Sequence, residues 1–322
     1  MSRQSSFTAP HNFMDALIRF AEKVLRMLKQ LIIAALITTL PLSLAISHEQ
    51  NAMRIVSASN PLTQIISALE KEEMLVGIDT TSHTKPSLEK IPDIGYRITL
   101  STEGILSLKP DLILLAHDSG PLNVIEQLHH SGVDILHFED LKDVAAIEST
   151  IHAIAEKLNM QNAGIALSET VVKEASQLAQ KSQNHQPLKG FFVLQEEPNA
   201  GSLQISGNDT TAHKLLELLN ITNLFSDDFK NYRAISLENQ MQTRPDIVFI
   251  GKRASFDPEK DASSAVIPPF QLRESGMKNW PDALQPQCVF EVNMSHYLVY
   301  GIHIFQDSTQ LLTAIEHCLA ER

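Results

Sequence analysis

Cysteine, aromatic residues and positive charge are all scarce in this 322-residue chain. It has two cysteines, one tryptophan and four tyrosines, and aromatics make up 6% of the residues. Neither cysteine, Cys288 nor Cys318, stands at a spacing to histidine that resembles a structural zinc site. In an oxidising compartment the two could pair; otherwise they are small, buried apolar side chains. The 26 Lys and Arg are outnumbered by 38 Asp and Glu, a formal charge of −12, which argues against a protein that neutralises nucleic-acid phosphates. No Ser/His/Asp triad, phosphate-binding loop or dinucleotide fingerprint occurs at usable spacing. With 43% apolar residues a normal core is available, and the composition argues against disorder. The length suits about two domains of roughly 100–200 residues each.

The charge is unevenly spread. Residues 1–47 carry five basic and two acidic groups, whereas the remaining 275 residues have a net charge of −15. Lys29 precedes the apolar run LIIAALITTLPLSLAIS, residues 31–47, which ends small-x-small at Ala45-Ile46-Ser47. A basic flank, an apolar stretch and such an ending have the form of a secretory signal. The run is shorter than the ~20 residues of a membrane span, and Pro41 interrupts it. Cleavage after Ser47 is expected, with His48 as the new N-terminus and Met27 as the start of a compact signal. No cysteine lies near this point for lipid attachment. The exported protein is therefore expected to be free in its compartment.

Arg54–Ser57 reads as a short strand, and short apolar runs punctuate the rest at 74–78, 112–116, 133–138, 191–194, 247–250 and 289–292. Helical periodicity lies between them, as in Leu62, Ile65, Ile66 and Leu69. Strands alternating with helices predict an α/β protein with mostly parallel sheets. Residues 142–185 contain one glycine, Gly164, and no proline, and 163–183 are rich in helix formers. This stretch is expected to be a rigid helical connector between an N-terminal lobe, 48–141, and a C-terminal lobe, 186–322. A helix over 163–183 would span roughly 31 Å and would allow little closure on a ligand.

An internal echo links the lobes. YRITLSTEGILSLKPD, 96–111, and YRAISLENQMQTRPD, 232–246, both begin Tyr-Arg and continue with an apolar residue, Ser, any residue and Glu. In each, Glu precedes Pro by seven positions, and Pro-Asp leads into an apolar strand. The second copy lacks one residue between Arg and Ser. The same unit is predicted twice: loop, short helix, Pro-Asp turn and strand. Ser101 and Ser236 are suited to cap the helices. Glu103 and Glu238 then occupy the second helical position, where the helix dipole favours negative charge. Tyr96 and Tyr232 are expected in the loop leading into each helix.

The residues 53–320 resemble the periplasmic haem-binding proteins of ABC haem importers, and more broadly the binding proteins for haem, cobalamin and ferric siderophores. The segments that carry the resemblance are PDIGYRITLSTEGILSLKPDLIL (92–114), Arg-Ile-Val-Ser at 54–57, VGIDTTS (76–82) and SGNDTTAHKLLELLNITN (206–223). It implies two α/β lobes joined by one long helix, with haem as the transported ligand in the cleft between them. It also implies that Tyr96 is the axial ligand to haem iron. A hard phenolate oxygen suits ferric iron, and an adjacent guanidinium favours the anion. The family commonly places its basic residue two positions after the tyrosine, whereas here Arg97 follows at once and position 98 is Ile. Successive side chains of extended backbone point to opposite faces, so Arg97 is expected to point away from the Tyr96 oxygen.

Tyr232, His213, Tyr297, Tyr300, His296 and His303 are candidates for the second lobe's contribution, and His117 is a weaker one. The aromatics of NMSHYLVYGIH, 293–303, would stack on the porphyrin. By the same resemblance Glu103 and Glu238 dock onto a two-fold permease in the inner membrane, and the protein is a periplasmic monomer without enzymatic activity. The alternatives are a cobalamin carrier, a siderophore carrier, a haem-modifying enzyme and a zinc or manganese carrier. Only seven arginines follow the leader, few for siderophore oxygens, and the Gly-Tyr motif argues against a bare metal ion.

Overall fold

The computed structural model describes residues 19–27, 53–195, 202–252 and 268–321. Residues 19–27 are helical and exposed. The apolar run 31–47 and its cleavage point lie outside the described residues. Among the described residues no helix is long and apolar enough to cross a membrane.

From Met53 onward the chain builds two sheets. The first contains β1 (Ile55–Ser57), β2 (Leu75–Ile78), β3 (Leu112–Leu115) and β4 (Asp134–His137), all parallel and in the order β2-β1-β3-β4. Its helices are α1 (Asn60–Ala68), α2 (Thr102–Ser107), α3 (Leu122–His129) and α4 (Val144–Lys157). Next comes α5 (Gln161–Gln183). The second sheet contains β5 (Leu188–Gln195), β6 (Ser202–Ser206), β7 (Ile221–Asn223), β8 (Tyr232–Ser236), β9 (Ile247–Lys252), β10 (Phe270–Leu272) and β11 (Cys288–Asn293). Between and after these strands lie α6 (Thr211–Leu218), α7 (Leu237–Gln242), α8 (Met294–Tyr297) and α9 (Ile304–Ala320). The strand order is β10-β11-β9-β5-β6-β8, with β7 on β5. Its centre, β11-β9-β5, is parallel, but β10, β6 and β8 run antiparallel to their neighbours. The second sheet is thus mixed, but parallel pairing predominates over the two sheets together, as the alternation of strands and helices predicts.

Side chains of the central strands alternate between two apolar layers, as the period of two requires. Leu112 and Leu114 face one layer while Ile113 and Leu115 face the other; Ile247 and Phe249 likewise oppose Val248 and Ile250. The layer holding Leu112 and Phe249 is one connected cluster that runs through both lobes and includes Val171 and Leu178 of α5. The connecting helix is therefore a core element. Its first turns lie against α4, where a Cβ at Gly164 would collide with that of Ala155 and Ser168 donates to Glu148 at 3.0 Å. Near its other end Lys181 pairs with Glu316 of α9 at 3.1 Å. Cys288 and Cys318 form a disulfide between β11 and α9, which resolves the alternatives left open by the sequence.

The echoed segments fold alike from the serine onward. Ser101 accepts from the Gly104 amide at 3.2 Å and Ser236 from the Asn239 amide at 3.4 Å, and each caps a six-residue helix. Each helix is followed by a basic residue in left-handed conformation, Lys109 with φ 50° and Arg244 with φ 45°. Then comes Pro-Asp, whose carboxylate accepts from the amide at the start of the neighbouring strand: Asp111 from Arg54 and Asp246 from Lys189, both at 2.8 Å.

Candidate functional site: a cleft between the lobes

A cleft of about 650 Å³ opens at the carboxyl ends of the parallel strands, the usual ligand position in α/β sheets. The first lobe contributes the segments after β1, β2, β3 and β4, including Thr80, Thr81, Tyr96, Arg97, His117 and Asp118. The second contributes Leu194, Thr211, Lys214, Tyr232 and, after β11, Met294, Ser295, Leu298, Val299 and Tyr300. The walls mix apolar surface with a few polar groups, as small-molecule sites do.

Tyr96 is carried by a tight loop. Gly95 has φ 89°, a region open to glycine. Its amide donates to Asp93 at 2.7 Å and its carbonyl accepts from Thr80 at 3.1 Å. The Thr99 amide then closes a turn on the Tyr96 carbonyl at 2.8 Å. This turn corrects the expectation about Arg97. Because the backbone is folded and not extended, neighbouring side chains meet. Arg97 Nη1 donates to the Tyr96 hydroxyl at 3.0 Å, and the guanidinium carbon lies 5.0 Å from the ring centroid. Tyr96 remains 40% exposed.

Arg97 is anchored from behind by Asp118, just beyond β3. Its Nε lies 2.8 and 2.9 Å from the two carboxylate oxygens, and Nη2 lies 2.7 Å from Oδ2. Burial opposes both charges, but the bidentate pair outweighs it. Arg97 is held above the ordinary guanidine range and Asp118 below the ordinary carboxylate range. Below the cleft, burial pushes the Asp79 carboxyl up although it accepts from the amide and hydroxyl of Thr81 and from Ser82.

Of the second lobe's candidates, Tyr232 and Tyr300 line the cleft and the others do not. Tyr232 is on a strand, not in a loop, and burial pushes its phenol up. The Tyr300 phenol is pushed up to about 12 by burial and by the nearby charges of Asp143 and Glu217. Its ring meets Phe305 edge-on at 5.9 Å. Tyr297 is turned into the core with 0% exposure, and its hydroxyl donates to the Asp307 carbonyl at 3.2 Å. His213 is directed to Asn223 at 3.2 Å and to Glu217 at 3.4 Å. His296 pairs with Asp307 at 3.0 Å, and burial lowers the pKa of His303. His117 reaches the cleft 3.9 Å from Asp140. Glu103 and Glu238 are exposed at the second position of their helices, outside the cleft.

The sequence reading missed Asp118, Lys214 and Asp140. Asp118 follows His117 directly beyond a strand end, a position that could have singled it out. Among the described residues no cluster of three or more His, Cys, Asp or Glu could hold a metal ion.

Residues 55–267 match the family model described as periplasmic binding protein. The chain belongs to this family. Members are substrate-binding proteins of transport systems. The vitamin B12-binding protein of Pectobacterium atrosepticum is 23% identical over 203 residues, covering 62% of this chain and 71% of that protein. Among solved structures, the periplasmic heme-binding protein RhuT from Roseiflexus sp. RS-1 in apo form matches with TM-score 0.67 and 23% identity, over 83% of this chain and 99% of that one. The periplasmic heme-binding protein HutB of Vibrio cholerae matches with TM-score 0.63 and 25% identity, over 82% and 99%. These likenesses establish the two-lobed fold of this periplasmic binding protein.

Proposed function

We propose that this periplasmic binding protein takes haem into its cleft and delivers it to an ABC-type import permease, without transforming it. The observation that carries the reading is the Arg97 guanidinium 3.0 Å from the Tyr96 oxygen at an exposed position on the cleft. A phenolate bound to ferric iron concentrates negative charge on its oxygen, and a fixed donor there stabilises that state. Tyr232, Tyr300 and the apolar side chains around Met294 and Leu298 supply a wall for a flat porphyrin. Structural likeness to heme-binding proteins agrees.

In this reading residues 1–47 direct export and are removed, 48–141 and 186–322 are the ligand-binding lobes, and 142–185 connects them. The Cys288–Cys318 disulfide supports an oxidising compartment. Glu103 and Glu238, one on each matching helix, dock a monomer onto the two halves of the permease. Hemin added to the protein without its leader should produce a Soret band and the charge-transfer bands of phenolate-ligated high-spin ferric haem. Tyr96→Ala should abolish those bands, and hemin binding that ignores this change would refute the ligand assignment. A cobalamin carrier is the second reading, favoured by the names of the curated relatives. Competition between hemin and cobalamin decides between them.

A further inference from the structure

Among the described residues two side chains of Lys or Arg line the cleft, Arg97 and Lys214, and each faces a carboxylate. The pairs are built differently. Arg97 and Asp118 belong to one lobe and share several short contacts. Lys214 stands on α6 in the second lobe, whereas Asp140 follows β4 in the first. Their single contact spans the cleft, Nζ to Oδ2 at 3.5 Å. The ammonium is also 5.9 Å from the Tyr300 ring centroid, which keeps it over the cleft. Asp140 turns its other oxygen toward His117, 3.9 Å away.

A single long contact between half-exposed charges is weak and exchanges readily. A carboxylate entering between the lobes competes with Asp140 for the same ammonium on equal chemical terms. It does not compete in the same way for Arg97, whose carboxylate is bidentate. We propose that Lys214 binds a carboxylate of the ligand and that Asp140 is its resting partner, displaced when the ligand enters. The proposal rests on the haem reading, because haem brings two propionates. Asp140 then opposes binding: it holds the cation that the ligand needs and its own charge repels the incoming carboxylate.

The test compares hemin with its dimethyl ester, which keeps ring and iron and removes both charges, on wild-type protein, Lys214→Met and Asp140→Asn. Lys214→Met is expected to weaken hemin about fivefold and Asp140→Asn to tighten it about threefold, both within reach of one charge contact. The ester should bind all three proteins equally, which also verifies that the variants fold. The charge-transfer bands should persist in both variants. Equal weakening of hemin and ester by Lys214→Met, no effect on hemin, or weaker hemin binding by Asp140→Asn would each overturn the proposal. Failure of wild-type protein to bind either compound would instead remove the haem reading, and this assignment with it.

Discussion

The two echoed segments begin with the same Tyr-Arg pair and put it to opposite uses. In the first lobe the pair lies in a turn, so Arg97 curls back onto the Tyr96 oxygen and both reach the cleft. In the second it opens β8, where successive side chains diverge. Tyr232 faces inward while Arg233 leaves for the Phe229 ring, 5.4 Å away. The residue missing from the second copy lies in this stretch. From Ser101 and Ser236 onward the copies agree in cap, helix length, left-handed residue and Pro-Asp clamp. Arg54 adds to the first copy, because its side chain also holds the Leu108 and Lys109 carbonyls at 2.7 and 3.0 Å. What is shared maintains the fold; what differs equips one lobe with an exposed phenol and a donor.

The largest contrast is expected in ligand binding. Tyr96→Ala should weaken hemin at least 100-fold, whereas Tyr232→Phe should change it less than about fivefold, measured by Soret titration. Comparable losses would show that both phenols contact iron. Second, the lobes differ in cross-linking, since the described disulfide is confined to the second. Replacing Cys288 and Cys318 with Ser should lower stability in urea by about 3–4 kcal/mol for a closed loop of this size. Third, Arg97→Met should weaken hemin about tenfold and alter the charge-transfer bands, whereas Arg233→Met should leave both unchanged. The smallest effects concern the shared part. Ser101→Ala and Ser236→Ala should each cost about 1 kcal/mol. Unequal costs would mean that the serine caps do not do equivalent work.

Much of this was legible because it is local. The seven segments read as strands correspond to β1, β2, β3, β4, β5, β9 and β11. The long helix runs over Gln161–Gln183, close to its predicted 163–183. The strands not foreseen, β6, β7, β8 and β10, are short and partly polar, and three of them pair antiparallel toward the sheet edges. Tertiary pairing overrides weak local pattern there. At the site, Tyr96 was legible from its motif. The direction of Arg97 was not, because it depends on a turn held by contacts from Thr80 and Thr99. The Lys214–Asp140 contact joins residues 74 positions apart in different lobes, which no local spacing could disclose.

The apolar layer that passes without interruption from Leu112 through α5 to Phe249 has a consequence for folding. Lobes with separate cores would melt one after the other. Here each would leave part of α5 stripped of its packing if the other unfolded. Residues 53–321 should therefore unfold in a single cooperative transition, and cutting the chain within α5 should yield two fragments that are each unable to fold alone but able to fold together.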